Sequence, residues 1–301
     1  MNLELNKNAI RMLTGFIVGL VVLGGLYYGG IFLFLVLAMC VFSGSKEYVN
    51  ILKNKGFFPS LKVILITDLI LAILFYLNKP DLILAALTLC TIASFMWVLF
   101  KGRQPYIANA ATTVLGFIYG GWLTLHLLLL RGLSSTSGDG VLDLTVGNSE
   151  GLGFTVFMFV IVLLTDTGCY FVGRRFGKHS LAPTVSPKKT IEGALGGIVC
   201  ALIGGFIAGF CISLPWYHSL ILGLLCTLFA QIGDLCESLI KRDAGVKDSS
   251  DILPGHGGFL DRTDSYVFTI PVAYYYIKFF ILDSSINVQT VLEGLMHGFG
   301  L

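Results

Sequence analysis

The chain has 301 residues, of which 55% are hydrophobic and only 13% charged, and its mean hydropathy is +0.83. This apolar content exceeds what a water-soluble core absorbs, which excludes a soluble globular domain and points to an all-α, polytopic membrane bundle. A net charge of +2 is too small to suggest nucleic acid, and the 7 Cys lie scattered in apolar runs without C-x-x-C spacing, which argues against a zinc site or a disulfide framework.

Nine apolar segments of roughly 17 to 25 residues follow one another, each of the length that crosses a bilayer. They centre near Val18, Leu37, Leu69, Ala93, Leu123, Val160, Gly204, Leu224 and Ala273. The first carries no small-residue cleavage pattern and reads as a membrane helix, not a removable signal peptide. It is separated from the second only by "GGLYYGG", where Gly29 and Gly30 supply the conformations of a tight hairpin. That division puts all but three of the 20 Lys and Arg on one face, the exceptions being Lys79, Arg131 and Lys278. The excess of basic residues then places the N-terminus in the cytoplasm and the C-terminus outside.

Three regions result: N-terminal spans over 1–132, a polar outer loop over 133–151, and C-terminal spans over 152–301 that carry the chemistry. The outer loop, "RGLSSTSGDGVLDLTVGNSEG", is acidic and rich in Gly and Ser, which predicts partial order. After the second span, "SKEYVNILKNKGFF" reads as a helix end with flanking lysines or as a helix lying in the interface.

Two carboxylates sit inside spans, about 10 to 12 Å below the basic rim at 1.5 Å per residue. They are Asp166 in "VLLTDTGCYFVGRR" and Asp234 in "AQIGDLCESLIKR". A carboxylate at the bilayer centre costs on the order of 2.5 to 3.5 kcal/mol, so both are expected to face one polar cavity. Asp234, Glu237, Ser238 and Lys241 share a helix face. The alternative is that Asp234 only pairs with a basic neighbour to hold helices together.

The loop after the eighth span ends in "PGHGGFLDRTD". Asp261 and Asp264 project together if a helix begins there, and converging carboxylates without clustered His or Cys favour a hard cation such as Mg²⁺. Gly255, Gly257 and Gly258 allow backbone N–H groups to form an anion-binding concavity, with Lys241, Arg242, Lys247, His256 and Arg262 around it. In "VSPKKTIEGALGG", Ser186 is expected to cap the seventh span and Pro187 to open it, leaving Lys188 and Lys189 in the first turn. Cations are unfavourable there unless an anion is bound. Acids, bases and glycines from three connections therefore suit a polyphosphate substrate held partly through metal, beside an intramembrane wall that accepts a lipid.

From Ser238 to Asp264, "SLIKRDAGVKDSSDILPGHGGFLDRTD" resembles the signature of the CDP-diacylglycerol synthases, also called phosphatidate cytidylyltransferases. "SPKKTIEG" and "DTGCYFVGRRFGKHS" resemble the two preceding motifs of that family, with Cys169 where alanine is usual. The resemblance covers residues 150 to 282 well and the N-terminal spans in hydropathy only.

It implies transfer of CMP from CTP to phosphatidate, Mg²⁺ as cofactor with a second cation left open, membrane lipids as surroundings, and a homodimer. It further implies that Asp234, Asp261 and Asp264 hold metal with Asp166 as a helper. Ser186, Lys188, Lys189, Ser238, Lys241, Arg242, Lys247, His256, Gly257, Gly258 and Arg262 are the implied phosphate contacts. The bacterial cytoplasmic membrane, with the site facing the cytoplasm, is the expected location. A CTP-dependent lipid kinase and a cation-coupled transporter are the alternatives, the latter leaving the basic and Gly-rich loops unexplained.

Overall fold

The structure, a computed structural model, describes residues 2–135, 148–250, 252 and 257–282, with residues 2–8, 10 and 11 in their backbone only. Helix α1 (Asn2–Tyr28) turns at Gly29 into α2 (Gly30–Asn54). Gly29 and Gly30 have φ of 61° and 50°, the left-handed region the expected hairpin requires. Then come α3 (Leu61–Tyr76), α4 (Pro80–Lys101), and α5 (Tyr106–Gly116), which passes through a π-helical stretch, Phe117–Trp122, into α6 (Leu123–Arg131). Helix α7 (Ser149–Phe176) leads to strands β1 (Ser180–Ala182) and β2 (Ser186–Thr190), followed by α8 (Ile191–Cys211), α9 (Trp216–Asp243) and α10 (Leu260–Ile277), with a final π turn to Leu282.

Each expected segment is a helical rod. Seven are long and apolar enough to cross a membrane: α2, α4, the continuous α5–α6, α7, α8, α9 and α10 with its π turn. The apolar part of α1, Met12–Tyr28, is shorter. At 16 residues α3 spans only about 24 Å, less than the ~30 Å of hydrocarbon. Large apolar side chains such as Leu99, Phe206 and Phe210 are exposed on the outside of the rods, as a lipid environment allows.

One feature departs from expectation. The bundle carries a two-stranded antiparallel sheet, in which Ser180 pairs with Thr190 and Ala182 with Ser186. Consequently Ser186 is not a helix cap, and Pro187, Lys188 and Lys189 lie in β2, not in a first helical turn. The cap is Thr190, whose hydroxyl accepts from the Gly193 N–H at 3.1 Å. Pairing with β1 keeps the Pro-Lys-Lys backbone extended until that cap. "SKEYVNILKNKGFF", by contrast, continues α2 to Asn54, in keeping with its reading as a helix end with flanking lysines.

The C-terminal rods pack through small residues. Helix α8 buries Gly193, Gly197, Ala201, Gly205 and Gly209, a four-residue repeat along one face. A Cβ at Gly197 would run into the Cys169 sulfur, and one at Gly205 would press on Ile161, so the stripe sets α8 tightly against α7. On α9, a Cβ at Gly233 would lie 2.5 Å from the backbone oxygen of Asp264. Only glycine lets α10 approach there, and that approach brings the Asp264 turn beside Asp234. At the opposite end, the buried Arg131 ties the α1 terminus to the start of α7: its Nε donates to Leu26 O at 2.7 Å and its guanidinium to Asn148 O at 3.1 Å. Loop residues 136–147, where partial order was expected, lie outside the described residues.

Candidate functional site

One end of the bundle gathers the C-termini of α2, α7 and α9, the N-termini of α8 and α10, and the β1–β2 hairpin. A cavity of about 540 Å³ opens between α7, the hairpin, α8 and α9. Asp166, Cys169 and Arg174 line it from α7, Lys188 and Lys189 from β2, and Gln231 and Asp234 from α9. Asp166 and Asp234 therefore face one cavity, as expected. Lys189 and Asp234 form an ion pair within it. Gln231 is braced by donating to Ala194 O at 3.3 Å, which fixes the α9 face one turn from Asp234.

Asp264 reaches the same group from α10. It lies within electrostatic reach of Asp234, Asp166 and Lys241, and its Oδ1 accepts from the Ser265 N–H at 2.7 Å. The buried Tyr119 and half-buried Tyr266 lie within electrostatic reach of these acids.

The second half of the site is a lysine between two acids. Lys241 is ion-paired with the fully buried Glu237 one turn earlier on α9, and donates to Asp261 Oδ1 at 2.6 Å. Oδ2 of Asp261 accepts from Ser249 N at 2.9 Å, Ser249 Oγ at 2.8 Å and Gly258 N at 2.8 Å. Asp261 and Asp264 thus serve different partners, although they occupy one turn of α10. The Gly258 N–H, expected to face a bound phosphate, is taken by the chain's own Asp261.

The remaining expected residues divide by exposure. Arg242 is exposed and donates to Val185 O at 3.3 Å and Val246 O at 3.0 Å, which ties the hairpin to the loop after α9. Lys188, Lys247 and Arg262 are exposed, Ser186 and Gly257 half-buried, and Ser238 buried on α9. His256 lies outside the described residues.

A residue that the sequence reading passed over is Glu47 on α2, which is 1% exposed. It accepts from Ser249 Oγ at 3.0 Å, Ser250 Oγ at 2.6 Å, Phe259 N at 3.0 Å and Leu260 N at 2.9 Å. The available signal was a lone carboxylate between Lys46 and Tyr48 at the end of an apolar run.

The donor set suits a hard divalent cation: all its ligating candidates are carboxylate oxygens, with Lys189 paired to Asp234 and Lys241 to Glu237 and Asp261. Among the described residues no three of these groups close onto a single point.

The model of the "Cytidylyltransferase family" matches residues 9–280, so the likeness runs through the N-terminal spans and not only the C-terminal motifs. A "Phosphatidate cytidylyltransferase" of Synechocystis sp. is 35% identical over 277 residues, covering 86% of this chain and 90% of the relative. A protein of that name from Staphylococcus saprophyticus is 35% identical over 269 residues, 87% of this chain and 96% of the relative. One from Staphylococcus aureus reaches 50% identity over 126 residues, 41% of this chain and 48% of the relative. With a match that spans nearly its whole length, carrying the paired acids and lysines described above, this chain belongs to the cytidylyltransferase family.

Proposed function

We propose that the protein transfers CMP from CTP to phosphatidate, giving CDP-diacylglycerol and pyrophosphate. The observation that carries this reading is the cavity in which Lys188 and Lys189 meet Asp166 and Asp234 at one end of an apolar bundle. Both charges are needed there if a polyphosphate is to be held beside a divalent cation, and the apolar flank admits a lipid.

An oxygen of the phosphatidate phosphate attacks the α-phosphorus of CTP; the bond from that phosphorus to the bridging oxygen breaks, and pyrophosphate leaves with the electron pair. The attacking oxygen is already anionic, so no side chain has to remove a proton. The chain's task is placement and charge compensation. Lys189, Lys188 and Lys241 bind phosphate oxygens, with Arg242, Lys247, Arg262 and His256 at the outer rim and the Ser186 and Ser238 hydroxyls as further contacts. Asp234 and Asp264 hold the divalent cation with Asp166 beside them, and Asp261 completes the acid set from the Lys241 side. When bound, Mg²⁺ supplies charge neutralisation on the phosphates.

The test is a product assay on purified protein with CTP, phosphatidate and Mg²⁺. CDP-diacylglycerol and pyrophosphate in equal amounts are the expected products. Release of CDP instead would identify a lipid kinase, and no binding of CTP would favour a transporter.

The nine-rod path, with the N-terminus and the site in the cytoplasm of a bacterial cell, is part of the same proposal and rests on the basic-residue asymmetry. A reporter fused after Leu301 is then expected to be active only on the outer face. A cytoplasmic signal would overturn that orientation.

A further inference from the structure

Glu47 comes from the N-terminal spans, yet every hydrogen bond described for its side chain comes from the segment around the start of α10. A carboxylate buried to this degree has to be fully hydrogen-bonded, and here each oxygen takes two donors. Two of those donors, the N–H groups of Phe259 and Leu260, are among the four that a helix leaves open at its N-terminus. Glu47 therefore caps α10 from another helix, and its charge lies at the end where the helix dipole favours an anion. The space it needs is left by Gly258: a Cβ there would collide with the Glu47 carboxylate and with Ser249 Oγ.

What this contact fixes is the rotational phase of the first turn of α10. Asp261 and Asp264 project from that turn; Asp261 pairs with Lys241, and Asp264 lies within electrostatic reach of Asp234. Ser249 links Glu47 to Asp261, because its single hydroxyl proton is shared between them, with the oxygen 3.0 Å from Glu47 and 2.8 Å from Asp261.

We infer that Glu47 is a positioning residue for cytidylyl transfer, setting the start of α10 so that Asp261 meets Lys241 and Asp264 stands with the acids of the cavity. The inference rests on the reaction proposed above. It gives the N-terminal spans a part in the chemistry: they hold the catalytic turn in register without touching substrate.

Glu47→Gln keeps the side chain's length but replaces one acceptor oxygen with a donor and removes the charge. The expected variant inserts like the native protein but melts at a lower temperature, because its amide nitrogen faces a backbone N–H that can only donate. Its kcat falls by about 10- to 100-fold with the KM for CTP and phosphatidate unchanged, and the Mg²⁺ concentration for half activity rises. Hydrogen exchange at Phe259 and Leu260 is expected to speed up by about 10-fold or more, while α4 stays protected as before. Ser250→Ala, which removes one of the four donors, is expected to show smaller changes in the same direction.

Native kcat in Glu47→Gln, with or without faster exchange, would overturn the inference. If Glu47→Gln does not fold, Ser250→Ala decides: native kcat and native exchange at Phe259 would make Glu47 a folding residue only. Absence of CDP-diacylglycerol from the native protein would defeat the proposed reaction, whereas unchanged Phe259 and Leu260 exchange in Glu47→Gln would defeat the clamp itself.

Discussion

Asp264→Asn is expected to reduce CDP-diacylglycerol formation by at least ~10²-fold while leaving insertion and melting unchanged, because the loss falls on charge compensation at the reacting phosphates. Asn is the same size and keeps an oxygen for the Ser265 N–H, and the close approach of α10 at Gly233 involves the Asp264 backbone, which the substitution spares. What disappears is one negative charge beside Asp234 and Asp166. The comparison is Asp243→Asn, at an exposed carboxylate whose partner Lys55 lies 2.9 Å away; such surface pairs contribute roughly 0 to 1 kcal/mol, so turnover should be unaffected. Native activity in a correctly inserted Asp264→Asn protein would remove Asp264 from the metal set.

Lys241→Met is expected to damage both the fold and the reaction. Glu237 is fully buried and Lys241 is its ion-pair partner, so removing the lysine leaves a buried carboxylate uncompensated, at a cost of about 3 to 5 kcal/mol. Adding Glu237→Gln to Lys241→Met removes that stranded charge, and much of the lost thermal stability should return. Turnover should not, because Asp261 still lacks its lysine and the phosphates lose a cation. Melting curves in detergent and CTP turnover on the single and double variants separate the two effects. Full recovery of turnover in the double variant would show that Lys241 serves the fold alone.

Much of this site was legible because its logic is local. The depth of Asp166 and Asp234 below the basic rim follows from helical rise, and both do line one cavity. The separation of α1 from α2 followed from the charge distribution and from two glycines able to take positive φ. The errors arose where a distant partner decides the local outcome. Ser-Pro-Lys-Lys has the composition of a helix start, but pairing with β1 keeps it extended and moves the cap to Thr190. The glycines before α10 suit a phosphate, yet Asp261 and Glu47 supply the anions for Gly258, Phe259 and Leu260. Glu47 lies 213 residues from Leu260, and no periodicity within its own helix marks that contact.

The ion pair between Lys189 and Asp234 has a consequence for how charge is housed in the cavity. Asp234, one of the two acids lining the cavity, carries its own counter-ion, supplied by a short hairpin and not by solvent. On the proposed reaction, admission of nucleotide would be an exchange of partners, in which Lys189 releases Asp234 and passes to a phosphate oxygen. Asp234 then keeps a counter-ion at both stages, which spares the apolar surroundings the cost of hosting it bare.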